Sequence, residues 1–378
     1  MNMIEAKNKD EYNKFIIENN GNFQQSWEWG ELQERMGRKT KRLLALDEQG
    51  KPQVAASFVR HDLPFDKFYW VAPRGPVIEK QIDTVTASPD IISGRGSLLG
   101  LLRALSPRND RRDSPRDGSD AIFLRVEPEL SADYRLSIMD YSLREAPHDH
   151  SPRATILIDL EKSEKELLFE MHSKTRYNLR LSGRKEVNVK ISDERLEIRD
   201  FLDLLEKTAE RDEFNTHPRK YYEYMLELPF IKLFTAHLPP LNPPLTQQKA
   251  NPHLVSPLLR GRKRGGSKGG RRVAAGAIVS FFGNRATYLH GASDYESRKF
   301  MAPHLLHWEI IKQAKKQGIK YYDLGGVALK TADKNHPWQG ISKFKQGFGG
   351  EYIEYVGTLD YVTNPLWYMI YKLGRRVL

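Results

Sequence analysis

The sequence contains no cysteine among its 378 residues. This absence excludes disulfide scaffolds, zinc–thiolate sites, iron–sulfur clusters and cysteine nucleophiles, and it fits a reducing compartment. No apolar run approaches the length of a transmembrane helix. The first twenty residues alternate charged with apolar side chains, so we expect no secretion signal. These absences together predict a cytoplasmic protein.

The sequence also lacks the short motifs of several common catalytic sites. It has no GxxxxGK(S/T) phosphate loop, no GxGxxG dinucleotide fingerprint, no GxSxG nucleophile turn and no HExxH zinc motif. Its histidines do not show the spacing of metal ligands. We therefore predict no metal site and no flavin or nicotinamide cofactor.

The positive charge is concentrated in two stretches of unusual composition. The net charge is +11, and +10 of it lies in residues 88–119, with six Arg and four Asp, and 236–272, with eight basic residues and no acid. Both stretches are dense in Pro, Gly and Ser, which predicts long disordered insertions at about 88–119 and 237–272. They are either decoration without a role, which we favour, or an electrostatic tether to RNA or anionic lipid.

Periodicity outside these stretches predicts an α+β fold. Helical patterns cover residues 22–37, 163–184, 196–210, 218–226 and 304–317, and strand patterns cover 41–47, 54–60, 68–72, 121–126, 154–160, 231–235, 273–282, 286–292, 319–324 and 351–359. Helices followed by antiparallel-type strands occur once loosely in the first half and again in the second. We predict two similar mixed domains packed together.

Two segments each place a charged side chain, Arg74 or Asp323, beside prolines or glycines that impose an unusual backbone. Prolines on both sides of Arg74 stiffen its backbone, which suits a guanidinium held ready for an anion, although an ordinary turn with a solvated arginine fits equally well. Asp323 ends a strand and precedes Gly325 and Gly326, which allow close approach of a ligand backbone. The aspartate can equally cap the following loop.

The densest segment is residues 338–350 (WQGISKFKQGFGG), where aromatic residues and lysines alternate with four glycines. A lysine held between aromatic rings can stabilise an oxyanion or contact a phosphate. Basic and aromatic residues in alternation also suit nucleic-acid stacking. The plain alternative is a glycine-rich edge strand with solvated lysines.

These segments, taken in order, resemble the Fem family of non-ribosomal peptidyltransferases, which build the interpeptide bridges of peptidoglycan. The resemblance spans nearly the whole chain except the two insertions. It rests on residues 25–30 (QSWEWG), 73–77 (PRGPV), 124–129 (LRVEPE), 173–178 (SKTRYN), 208–212 (TAERD), 286–293 (ATYLHGAS), 322–326 (YDLGG) and 344–350 (FKQGFGG).

The resemblance implies two acetyltransferase-like domains. The first would cover residues 1–150 and be completed by about 352–378, and the second would cover 151–351. The implied donor is aminoacyl-tRNA as a co-substrate, without a further cofactor. The implied acceptor is the stem-peptide amine of a peptidoglycan precursor, at the inner face of the membrane.

The resemblance also implies the site residues. Lys345 corresponds to the family's essential lysine, placed where negative charge develops on the ester carbonyl or the departing ribose oxygen, and no covalent enzyme intermediate is needed. Glu127 would orient the acceptor amine or take its proton. Since we expect Lys345 to be solvated, its replacement should leave the fold intact. The implied substrate-binding residues are Arg74, Trp29, Tyr288, Phe344, Arg176 and Asp323.

Two positions depart from members that bind a soluble nucleotide-linked precursor. Those members carry a lysine and an arginine where this chain has Glu31 and Tyr224, which favours a lipid-linked acceptor. The alternative functions are an acyl-CoA-dependent N-acyltransferase of the same fold and a non-catalytic RNA-binding protein. The first lacks its diphosphate loop, because Gln317 and Gly318 end a helix, and the second disagrees with the nearly neutral body of the chain.

Overall fold

A computed structural model describes residues 2–79, 121–135, 143–240 and 272–377. Both predicted insertions fall almost wholly outside these residues. Within these residues the strands form two mixed sheets, and nine α-helices flank them. The predicted α+β class is confirmed.

The first sheet has the strand order β1-β2-β3-β4-β6-β15-β7, with β5 paired to β3. All of its pairs are antiparallel except β4 with β6. Its strands are β1 (Asn2–Glu5), β2 (Thr40–Leu46), β3 (Pro52–Asp62), β4 (Phe68–Ala72), β5 (Val77–Ile78), β6 (Ala121–Val126), β7 (Leu143–Glu145) and β15 (Leu359–Val362).

The second sheet has the order β14-β8-β13-β12-β11-β10-β9. It too is antiparallel except for one pair, β12 with β13. The strands are β8 (Ala154–Asp159), β9 (Asn188–Ser192), β10 (Ile231–His237), β11 (Val273–Phe282), β12 (Arg285–Ser293), β13 (Tyr321–Val327) and β14 (Glu351–Glu354). The domain boundaries drawn from the sequence stay a prediction.

The helices follow local capping signals. Ser163 and Glu166 form a capping box at the start of the helix Glu164–Glu170, and Gly318 takes φ +72° after the helix Ala302–Lys316. The helices are α1 (Lys9–Glu18), α2 (Trp27–Arg35), α3 (Glu164–Glu170), α4 (Ser173–Arg184), α5 (Arg195–Asp212), α6 (Arg219–Leu226), α7 (Ala302–Lys316), α8 (Gln339–Gln346) and α9 (Pro365–Val377).

Two expectations about individual elements are wrong, and one alternative is excluded. The helical pattern 163–184 is two helices, because His172 is extended (ψ 144°) and caps α4 through its side chain. The strand pattern 351–359 divides between the two sheets, with Gly357 at φ +87° between β14 and β15. The glycine-rich segment 338–350 contains α8 rather than an edge strand.

A shared hydrophobic core connects the two halves of the chain. Tyr12, Trp29 and Leu32 from α1 and α2 belong to the same buried cluster as Phe201 from α5 and Tyr221 from α6. Burial of this apolar surface holds α1 and α2 against the helices of the second half. Charged groups between the halves can therefore meet in fixed positions.

Candidate functional site

Lys345 is a buried lysine on the last turn of α8. Its side chain is 6% exposed, so the expectation of a solvated lysine is wrong. Its Nζ donates a hydrogen bond to the carbonyl oxygen of Gly326 at 2.7 Å. Burial lowers the pKa of Lys345 to about 8, although the nearby Asp323 carboxylate acts in the opposite direction. Lys345 is therefore mostly protonated at neutral pH.

The strand beside this ammonium is irregular. The pairing of β13 with β8 shifts register between Asp323 and Gly326, which is the signature of a bulge. Gly325 there has φ +71°, and a Cβ added to it would lie 2.8 Å from the carbonyl oxygen of Tyr288 and 3.7 Å from Lys345 Nζ. The glycine thus avoids a clash with the backbone of β12, beside the ammonium.

Asp323 stabilises this bulge. Its Oδ1 accepts a hydrogen bond from the backbone N–H of Gly325 at 2.8 Å and another from the hydroxyl of Thr155 on β8. The carboxylate therefore caps the local turn, as one of the two sequence interpretations has it. It also supplies negative charge close to Lys345.

A chain of buried charges continues from Asp323 toward the first sheet. Nη1 of Arg285 on β12 lies 3.8 Å from Asp323 Oδ2 and 2.8 Å from Glu129 Oε2. Glu129 follows β6, and its Oε1 lies 3.9 Å from Arg74 Nε and accepts a hydrogen bond from Asn22 at 3.0 Å. Because positive and negative charges alternate, the attraction between neighbours offsets part of the desolvation penalty of burying each charge.

Arg74 occupies a strained turn at the first-sheet end of this chain. Its φ is +54°, its Nη2 donates to the carbonyl oxygen of Pro152 at 2.8 Å, and its guanidinium lies 5.2 Å from the ring centre of Tyr355. Non-glycine residues at positive φ concentrate at functional sites. The guanidinium is thus held in place, and Glu129 is its anionic partner.

Glu127 lies next to this turn, since its backbone N–H donates to the carbonyl oxygen of Gly75 at 2.8 Å. Its carboxylate accepts three hydrogen bonds, from Ser151 N at 2.8 Å, Ser151 Oγ at 2.6 Å and Thr358 Oγ1 at 2.6 Å. Burial alone would raise the pKa of Glu127. The neighbouring His150, these hydrogen bonds and Arg74 outweigh burial and hold the pKa below its ordinary value. A carboxylate of low pKa orients an ammonium better than it removes its proton.

Tyr288 forms one wall beside the lysine. Its ring centre lies 5.5 Å from Lys345 Nζ and 4.8 Å from the ring of His307. Burial raises the pKa of Tyr288 to about 12, so its hydroxyl keeps its proton at neutral pH. The arrangement around Lys345 can therefore stabilise negative charge on a reacting oxygen from one side.

The model of the FemAB family matches residues 140–231 and 260–376. This chain belongs to the FemAB family. The sequence-based prediction of Fem membership is thereby confirmed.

Two curated relatives of this family member share one name. A "Lipid II:glycine glycyltransferase" of Staphylococcus epidermidis is 25% identical over 67% of this chain and 72% of that protein. A protein of the same name from Staphylococcus aureus is 23% identical over 97% of this chain and 94% of its own length. Membership and these names confirm the predicted enzyme class, an aminoacyltransferase.

Solved structures show the fold of the FemAB member. The crystal structure of FemX matches with a TM-score of 0.77 at 20% identity, covering 98% of this chain and 100% of that one. The structure of L-PGS from Bacillus licheniformis matches at a TM-score of 0.52 and 11% identity, covering 98% and 97%. At such identities the likeness concerns the fold alone.

Three of the predicted substrate-binding residues make packing contacts or hydrogen bonds that support the fold. Trp29 packs in the shared core, edge-on to Phe23 (5.1 Å) and Tyr221 (6.3 Å). Phe344 packs against the hydrophobic core of the second sheet and contacts the rings of His304, His307 and Phe348. Arg176 donates to the carbonyl oxygens of Leu168, Phe169 and Met171 and so caps α3. The structure places Asp323 and Tyr288 near Lys345, and it connects them to Arg74 and Glu127 through Arg285 and Glu129. The roles of all eight predicted residues stay predictions.

Glu31 and Tyr224, the two positions at which this FemAB chain departs from members that bind a nucleotide-linked precursor, contact neighbouring side chains. Glu31 accepts hydrogen bonds from Lys9 at 3.2 Å and from the indole of Trp27 at 3.1 Å. The ring of Tyr224 lies 3.7 Å from the guanidinium of Arg35. Their partners thus come from α1 and α2.

Sequence reasoning missed part of the site. Glu129 lies in the quoted segment 124–129 and Arg285 immediately precedes segment 286–293, but neither was assigned a role. Ser151 and Thr358, which hold Glu127, belong to no quoted motif. Glu129 and Arg285 could have been found, because each is a charged residue within or beside a recognised segment. No local pattern indicates Ser151 and Thr358.

The described residues lack two further features. No group of three or more His, Asp or Glu within them can hold a metal ion. None of their helices combines the length and the apolar character needed to cross a bilayer.

Proposed function

We propose that this chain transfers an amino acid from aminoacyl-tRNA to the stem-peptide amine of a lipid-linked peptidoglycan precursor at the inner face of the membrane. FemAB membership and the shared name of the relatives support the acceptor. Their name also makes glycine the first amino acid to test.

The observation that carries the proposal is the buried ammonium of Lys345 beside the bulge at Gly325. An ammonium has three N–H donors, and within the described residues Lys345 uses one of them, toward Gly326. The remaining donors can face an oxygen that gains negative charge. Such stabilisation in a site closed to water contributes about 3–4 kcal/mol to an acyl transfer.

The reaction needs no acyl-enzyme. The acceptor nitrogen attacks the ester carbonyl carbon, a C–N bond forms, and the bond from that carbon to the ribose oxygen breaks. The nitrogen loses a proton and the ribose oxygen gains one. Lys345 stabilises the tetrahedral oxyanion or the leaving oxygen, and Glu127 holds the incoming amine.

The test is a transfer assay with purified protein, glycyl-tRNA and lipid-linked precursor, with products weighed by mass spectrometry. We expect the precursor to gain the mass of a glycyl residue. Glycine with uncharged tRNA, and acetyl-coenzyme A as donor, are the controls. Transfer from the coenzyme A thioester alone would instead identify an acyl-CoA-dependent enzyme, and RNA binding without any product would identify a binding protein.

A further inference from the structure

The last helix of the chain exposes an apolar face. Helix α9 buries Tyr368 and Tyr371, which lie three residues apart on one side. The opposite side exposes Leu366, Met369, Ile370 and Leu373, and Phe65 lies beside Trp367 with ring centres 6.0 Å apart. These five side chains (Phe65, Leu366, Met369, Ile370 and Leu373), here called the α9 patch, are 44–78% exposed.

The α9 patch follows helical spacing. Positions 366, 369, 370 and 373 recur every three or four residues, so they form one stripe along α9. Contiguous apolar surface of this kind marks an interaction site. Since the tyrosine side already packs on the first sheet, the stripe is a second apolar face and is not needed for that packing.

The charge around the patch is basic. Residues 365–374 of α9 contain Lys372 and no acid. Lys67 lies 5.5 Å from the ring of Trp367, next to Asp66 in the same loop. An apolar stripe with Trp and basic residues at its borders is the pattern of a helix that lies in the interface of an anionic bilayer. A second copy fits less well, because symmetric pairing of two such helices would bring like charges together.

The buried side of α9 connects the patch to the site. Tyr368 donates to Asp360 at 2.9 Å, and Asp360 pairs with Arg125 through two 2.8 Å hydrogen bonds in full burial. Arg125 also lies 3.4 Å from the hydroxyl of Tyr371. Glu127 follows Arg125 by two residues, about 7 Å along an extended chain. A surface bound through the α9 patch would thus lie close to the Glu127 end of the site.

We infer that the α9 patch docks the protein on an anionic membrane surface. This inference extends the proposed function, whose acceptor is lipid-linked. Its test contains neither donor nor acceptor, so its result is independent of whether transfer occurs.

The test is flotation of the full chain with vesicles. We expect the chain to float with vesicles containing phosphatidylglycerol, less so with pure phosphatidylcholine, and less at high salt. Leu373→Glu should weaken partitioning about tenfold, since burial of one leucine is worth that factor. Leu196→Glu is the matched control, because Leu196 is an equally exposed leucine on α5, and it should bind like the wild type.

Three results would overturn the inference: no flotation of the wild type, equal loss in both variants, or equal binding to neutral and anionic vesicles. A lipid-free dimer in sedimentation that Leu373→Glu dissociates would assign the patch to a second copy instead. Circular dichroism of both variants checks that they are folded.

Discussion

Arg285 places one guanidinium nitrogen 2.8 Å from a carboxylate oxygen of Glu129. The two residues are 156 positions apart in the chain, one on β12 of the second sheet and the other just after β6 of the first. Glu129 also faces Arg74, and Arg285 also faces Asp323. This pair therefore connects the two ends of the candidate site, the Lys345 end and the Glu127 end.

Replacing Glu129 should destabilise the protein strongly. Glu129→Ala leaves the largely buried Arg285 and Arg74 without their shared anion, so we expect the free energy of unfolding to fall by about 3–5 kcal/mol. Urea denaturation measures this change. The control is Glu227→Ala, which removes an exposed partner of Arg35 and should have little effect. Equal losses in the two variants would mean that the buried network adds nothing special.

Removing the buried ammonium should abolish transfer without unfolding the protein. Lys345→Met nearly keeps the length of the side chain and removes a charge that burial disfavours. Asp323 still has Arg285 as a cationic partner, so the substitution leaves no buried carboxylate unpaired. We expect transfer to fall by about 100-fold or more, with an unchanged urea midpoint. Lys343→Met is the control on the exposed side of the same helix and should remain active. Full turnover by Lys345→Met would remove the lysine from the mechanism.

The strand and helix cores could be predicted because their patterns are local. The bounds of β4, β6 and β11 agree with periodicity to the residue, as apolar runs between turn signals require. Helix α8 could not be predicted, since four glycines in 338–350 resemble a loop. Its helical state depends on Phe344 and Phe348 packing against α7, a contact that no local pattern contains.

The candidate site, like the fold, could be predicted only in part from the sequence. Lys345 and Glu127 were identified by the order of short segments along the chain. The burial of Lys345 was not foreseen, because it depends on the bulge in β13, and the burial of Trp29 depends on α6. The pairing of Glu129 with Arg285 is a tertiary contact between distant segments, and charge alone does not reveal which residues will be partners.

The lowered pKa of Lys345 predicts the alkaline limb of the pH profile. The ammonium must be charged to stabilise an oxyanion, and its pKa is about 8, so kcat should fall as the pH rises through about 8. Because Asp323 raises this pKa, Asp323→Asn should move the falling limb to lower pH. The measurement is kcat between pH 6 and 10 with aminoacyl-tRNA prepared fresh at each pH. A limb that stays in place, or moves upward, would contradict the assignment.

Replacing Gly325, beside Lys345, tests whether the contacts around the ammonium matter for transfer. The effect of backbone strain alone is measured at a second glycine, Gly318. Gly325 and Gly318 have nearly the same positive φ, +71° and +72°. A Cβ at 318 would meet nothing within 4 Å, whereas one at 325 would lie 2.8 Å from the carbonyl oxygen of Tyr288 and in van der Waals contact with Lys345 Nζ at 3.7 Å. Both Gly→Ala variants should lose about 1 kcal/mol of stability from strain, and Gly325→Ala should lose more, because its Cβ would clash with the carbonyl oxygen of Tyr288. Gly325→Ala should in addition lose about tenfold or more in transfer, because the added methyl displaces either the ammonium or the substrate from their contact. Measured together, urea midpoints and transfer rates distinguish the two effects: if Gly318→Ala lost as much activity as Gly325→Ala, strain and not the space beside Lys345 would explain the result.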